Sequence, residues 1–338
     1  MSAIFFLKVL VSLLPVLAFL SGLIYLDSFK LVKPTAVIRA IGAGGVAALA
    51  AMVVNGWLLS GLLQDRVALT LYAAPVVEEI SKAAYLIYLL RSHRVGFLVD
   101  AAIFGFCIGT GFSLVENVYY LFSRPGADLY LWVIRGFGTA LMHGAATAIV
   151  GIAAKALMDL GRSLPLALLP GLAASALLHS LFNHFFISPS LTTVAILILV
   201  PAVMVFVFSQ SERSTRNWLG VGFDTDRDLL EMTTTGNLMD NKVGAYLKSL
   251  QENFPGEVVA DMLCMLRIHA ELSVKAKGII LMREAGFDVP PEPGVPEAFR
   301  ELQYLEKSIG KTGKLALSPF MHMTDRELWQ LHMLRQSH

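Results

Sequence analysis

The sequence predicts an all-α protein: a polytopic transmembrane helical bundle of about seven spans, N-terminus outside and C-terminus inside, followed by a small helical cytoplasmic domain. Three observations predict it. Of the 338 residues, 55% are hydrophobic and 16% charged, and the mean hydropathy of +0.63 exceeds that of ordinary soluble domains. Seven windows approach or exceed the roughly 20 apolar residues that cross a hydrocarbon layer. After Phe208 the composition turns abruptly polar.

The windows are residues 3–26, 36–63, 67–90, 97–122, 131–158, 164–187 and 191–208. The first has no basic residue before Lys8, and no small-residue cleavage site follows its apolar run, so it is expected to be a retained helix. Seven spans alternate sides, and the loop charges sort accordingly. Lys30, Lys33, Arg39, Arg91, Arg94, Lys155, Arg162, Arg213 and Arg216 fall on one side, and Arg66 and Arg124 alone on the other once Lys8 is set inside its span. The sequence therefore divides into a transmembrane domain, residues 1–208, and a cytoplasmic domain, residues 209–338, of a multi-pass cell-membrane protein. In the second, helical spacing covers 240–285, 296–309 and 325–335, with PPEPGVP at 290–296 as a linker and Thr324 with Glu327 as a capping box. It shows no phosphate loop, metal spacing or basic stripe for nucleic acid, and is expected to regulate, dock substrate or oligomerise. Cys107 and Cys264 have neither a disulfide framework nor a zinc-thiolate spacing.

The third window carries Glu78, Glu79 and Lys82, and an ionisable group at bilayer depth costs on the order of 3 kcal/mol. Glu78 and Lys82 stand four residues apart on one helical face, a spacing that suits an ion pair, while Glu79 points about 100° away. Pro75 cannot donate to the Leu71 carbonyl and can kink the helix just before the pair. Further spans carry Glu116 with Asn117, Arg135 with His143, and His179 with Asn183; His184 is expected to be a bystander. Gly105 and Gly109 allow close helix approach. Counted inward from the outer helix ends at 1.5 Å per residue, Glu116 lies about 9 Å deep, His179 about 12 Å, Glu78 about 16 Å and His143 about 18 Å, one layer reached by four helices. Buried polar groups of this kind also suit a proton-coupled transporter or a sensor or scaffold held together by polar contacts, although no internal repeat favours a transporter.

EExxK at Glu78–Lys82, FxxxE at Phe112–Glu116, the arginine and histidine of the fifth span, and HxxxN at His179–Asn183 together resemble the PrsW family of intramembrane proteases. Its broader relatives are the CAAX-processing and bacteriocin-immunity membrane proteases. The resemblance covers about residues 67–187. Lysine rather than arginine after the glutamate pair, and glutamate rather than histidine in the second motif, side with PrsW and against a prenylated substrate. The resemblance implies cleavage of peptide bonds in or near a prokaryotic cytoplasmic membrane, with membrane-anchored regulators such as anti-sigma factors as the substrate type. Hydrolysis needs an activated water, a polarised carbonyl and a donor for the leaving nitrogen. Glu78 or Glu79 is the expected base; Glu116, His143 and His179 would form a zinc site with an open position; Arg135 or Asn183 would steady the oxyanion. A metal-free version, with a glutamate and a histidine activating water directly, is chemically sound as well.

Overall fold

A computed structural model of the chain describes residues 3–234, 242–287, 289–290, 294–321 and 324–335. Every regular element among them is helical. The chain forms two compact units, Met1–Glu212 and Arg213–His338.

The first unit contains α1 (Ala3–Tyr25), α2 (Pro34–Leu58), α3 (Arg66–Ala68), α4 (Ala74–Arg91), α5 (Leu98–Ser123), α6 (Leu129–Val133), α7 (Ala140–Asp159), α8 (Leu164–His184) and the start of α9 (Pro189–Thr234). Three wider, π-helical turns interrupt it: Leu59–Leu63 closes α2, Leu69–Ala73 joins α3 to α4, and Ile134–Thr139 joins α6 to α7. Helix α5 lies at the centre, buried along most of its length and packed on α7 and α2, while α8 packs on α7 and α4. The glycine spacing explains how closely. A Cβ on Gly105 would lie 2.6 Å from the Ala148 Cα, and one on Gly109 only 2.2 Å from the His143 carbonyl oxygen, so the α5 and α7 backbones touch where His143 emerges.

Among the described residues, six helical stretches are long and apolar enough to cross a membrane: α1, α2 with its π turn, α5, α6 through α7, α8 and α9. The remaining expected window, 67–90, is helical too. Its charges keep it outside that set, and it packs against α2, α5, α7 and α8. The sequence reading ends the last span at 208, whereas α9 continues to Thr234. Loss of apolarity ends a membrane span but not a helix, and residues 209–234 contain no proline to stop one.

The second unit holds the rest of α9 with α10 (Lys242–Leu250), α11 (Gly256–Glu284), α12 (Val295–Leu317) and α13 (Asp325–Arg335). The single helix expected over 240–285 is two, parted by a turn that ends at Pro255, and residue 240 lies outside the described residues. Helix α12 outruns its expected end at 309, with a kink at Gly310, whose φ of 64° breaks the helical path. At α13 the Thr324 hydroxyl accepts from the Glu327 N–H at 3.4 Å. Buried Lys277 contacts Asp226 and lies over the Trp218 ring, whose N–H donates to Glu327.

Candidate active site

The local fold of α4 begins with two broken rules. Asp65 caps α3 by accepting from the Val67 N–H at 2.8 Å, and the chain then widens into the π turn just ahead of Pro75. Proline removes the N–H that would serve the Leu71 carbonyl, and an orphaned carbonyl in an apolar layer costs several kcal/mol on the order of magnitude. Helix α8 supplies the missing donors: Ser180 Oγ donates to Leu71 O at 2.6 Å, and Asn183 Nδ2 to Thr70 O at 3.0 Å. This sets α4 against α8 and aims Glu78 and Glu79 at His179.

Lys82 pairs with Glu79 at 2.6 Å, not with Glu78 as the four-residue spacing suggests. Both are buried, and Lys82 also reaches His143 Nδ1 at 3.1 Å and lies over the Phe112 ring, 4.8 Å from its centroid. An ammonium only donates, so His143 Nδ1 accepts and its Nε2–H donates to Glu116 Oε2 at 3.1 Å. Glu79 Oε1 accepts again from His179 Nδ1 at 2.9 Å, which leaves His179 Nε2 facing Glu78 Oε2 at 3.7 Å. The two rings meet edge to face, 4.8 Å between centroids.

Arg135 sits behind Glu116. Its Nε donates to Asn117 Oδ1 at 2.8 Å, and its Nη2 lies 3.0 Å from Glu116 Oε2, a charge contact whose angle falls outside that of a hydrogen bond. Its guanidinium stacks on Tyr120, 3.9 Å from the ring centroid. The structure therefore brings Glu78, Glu79, Lys82, Glu116, Arg135, His143 and His179 into one connected cluster. Asn183 is committed to the Thr70 carbonyl, and His184 bonds Ser180 O and Tyr72. Sequence reasoning passed over Asn55, whose Nδ2 donates to Glu78 Oε1 at 3.3 Å. The available signal was a lone amide in the apolar run of α2.

Beside the cluster lies a cavity of about 740 Å³, lined by Glu78, Glu116, Asn55 and Phe112 and, toward the ends of α2 and α5, by Arg66 and Arg124. Glu79 does not line it, and one of its oxygens is buried without a partner.

The donor set fits a metal ion in part. Glu78, His143 and His179 each offer a ligand atom, all within 4.8 Å of one another; in this group Glu78 takes the place expected of Glu116. Three carboxylates face two cationic side chains, which leaves one formal negative charge over. His179 has the arrangement typical of a ligating imidazole, one nitrogen held by a carboxylate and the other open. His143 is the less ready donor, because ligation through Nε2 requires loss of the proton that this nitrogen now donates to Glu116.

A family model described as PrsW family intramembrane metalloprotease matches residues 32–209, which takes in every member of this cluster. No curated protein and no solved structure matches the chain.

Proposed function

The chain belongs to the PrsW family of intramembrane metalloproteases, and from that premise we propose how its cluster hydrolyses peptide bonds. It is a multi-pass membrane protein and an intramembrane protease. Its substrates, in this reading, are membrane-anchored proteins of the kind exemplified by anti-sigma factors, entering the cavity that runs from Arg66 and Arg124 to Glu78 and Glu116. The observation that carries the reading is the convergence of Glu78, His143 and His179 at that cavity.

These three residues would hold a zinc ion, a set of two imidazoles and one carboxylate that leaves a position open. Bound there, zinc supplies a Lewis acid that polarises the scissile carbonyl and acidifies water. Glu79 is a positioning residue. It fixes the His179 tautomer and holds Lys82, whose ammonium in turn orients the His143 ring. Glu116, the other carboxylate on the cavity, takes the proton of the attacking water and returns it to the leaving nitrogen as the C–N bond breaks. Arg135 holds Glu116 in place and would steady the developing oxyanion. Asn183 acts through the Thr70 carbonyl, on the cavity wall.

A second reading is metal-free: Glu78 takes the water proton directly, with His179 beside it. The Lys82 contact to His143 Nδ1 favours it, because this contact leaves the Nε2 proton in the way of a metal. In both readings the loop charges support an N-terminus outside and a second unit in the cytoplasm, where its role is to regulate, dock substrate or oligomerise.

The test is cleavage of a single-span reporter by the purified chain in lipid nanodiscs. Wild type is expected to cut it, and Glu78→Gln and His179→Ala to leave it intact while remaining folded. Near-normal cleavage by both variants removes the cluster from the chemistry.

A further inference from the structure

Basic residues are scarce at the end of the bundle where the cavity opens. Lys8 spends its ammonium on the carbonyls of Pro125, at 3.0 Å, and Ala127, at 2.5 Å. The only other cations that the loop charges assign to that side are Arg66 and Arg124, and both line the cavity that holds Glu78 and Glu116. Both are exposed, and neither has an ion pair among the described residues. The carboxylates nearest in sequence are otherwise engaged: Asp65 accepts from the Val67 N–H, and Asp128 from the Leu131 N–H at 3.0 Å. Arg124 stacks over Tyr120, 5.5 Å from its centroid, and Tyr120 is a cavity residue as well. Outer loops carry few basic residues, and the two that the loop charges place there both line this one cavity.

The geometry points to Arg66 and Arg124 as a selectivity element that binds acidic side chains flanking the scissile bond of a membrane-anchored substrate. The inference rests on the protease reading of the cavity, because a segment reaching Glu78 from that end must pass the two arginines. Guanidinium pairs carboxylate through two parallel hydrogen bonds, and this geometry selects for Asp or Glu over amides as well as over lysine.

The experiment uses the full chain in nanodiscs and three single-span peptides that differ only in two residues on the cavity side of the cut, Asp, Asn or Lys. Binding is measured by fluorescence and cleavage by kcat/KM. The Asp peptide is expected to exceed the Asn peptide by about tenfold in both, one good charge-assisted contact's worth. Arg66→Gln/Arg124→Gln should erase that preference, bringing the Asp and Asn peptides to one common level, and Arg66→Glu/Arg124→Glu should favour the Lys peptide. Cleavage of all three peptides at one rate by wild type overturns the arginine assignment and leaves the protease reading standing. Discriminating binding without cleavage of any peptide does the reverse. If the double variant instead loses retention of phosphatidylglycerol, with peptide discrimination unchanged, the pair is a lipid headgroup site and the proposal fails.

Discussion

Glu79→Gln tests the architecture of the cluster most severely, because a single carboxylate oxygen of Glu79 serves two partners. Oε1 accepts from Lys82 at 2.6 Å and from His179 at 2.9 Å, with all three side chains buried. Removing one member of a buried pair and stranding the other charge costs about 3–5 kcal/mol. Glutamine keeps the shape and one acceptor, so the lower end, about 3 kcal/mol, is the expected loss. His179 also loses the carboxylate that fixes its tautomer, and loss of such a partner weakens metal affinity by about 10–100-fold. The assays are thermal unfolding in nanodiscs and metal retention on dialysis. Glu79→Gln/Lys82→Met should recover much of the stability, since an apolar replacement removes the stranded ammonium, and should still fail to cleave a reporter. A Glu79→Gln chain with unchanged unfolding temperature and metal retention would refute the role of Glu79.

Other outcomes follow from the packing. Gly109→Ala should cut activity sharply without removing any polar group, because its Cβ meets the His143 carbonyl at 2.2 Å and the two helices must part; reporter cleavage measures it, and wild-type rates would contradict the packing. Ser180→Ala should destabilise the first unit by about 3 kcal/mol through the orphaned Leu71 carbonyl, and Asn183→Ala by less, because the Thr70 bond is exposed, both read by thermal unfolding. Glu116→Gln is expected to abolish cleavage yet keep bound metal, whereas Glu78→Gln loses both, by elemental analysis. In a Cys264→Ser background, Ser123→Cys at the cavity should react with an impermeant thiol reagent added to intact cells, and Leu160→Cys only after permeabilisation; the reverse pattern would invert the topology.

The spans were legible because hydropathy is a property of composition, and the buried charges were legible because burying them without purpose is costly. What the sequence could not carry is rotation about each helix axis. Lys82 can reach either glutamate from its own helix, and the choice of Glu79 depends on His143 and His179 arriving from α7 and α8. The same limit hid which carboxylate converges with the imidazoles, because Glu78 and Glu116 each come beside one of the two rings and only the helix crossings distinguish them. Pro75 signalled a disturbed helix, but the donors from Ser180 and Asn183 belong to a segment more than a hundred residues away. In the second unit, spacing of apolar residues did not register the turn before Pro255, since both flanking helices keep the same period.

The central claim is that Glu78, His143 and His179 hold a metal ion that proteolysis needs. Metal content of the purified chain, measured together with reporter cleavage before and after a strong chelator, tests it most directly. The account predicts close to one zinc per chain, loss of cleavage with loss of zinc, recovery when zinc is returned, and little zinc in Glu78→Gln. Full cleavage by a metal-free chain in chelator would contradict it and move the water proton to Glu78 directly.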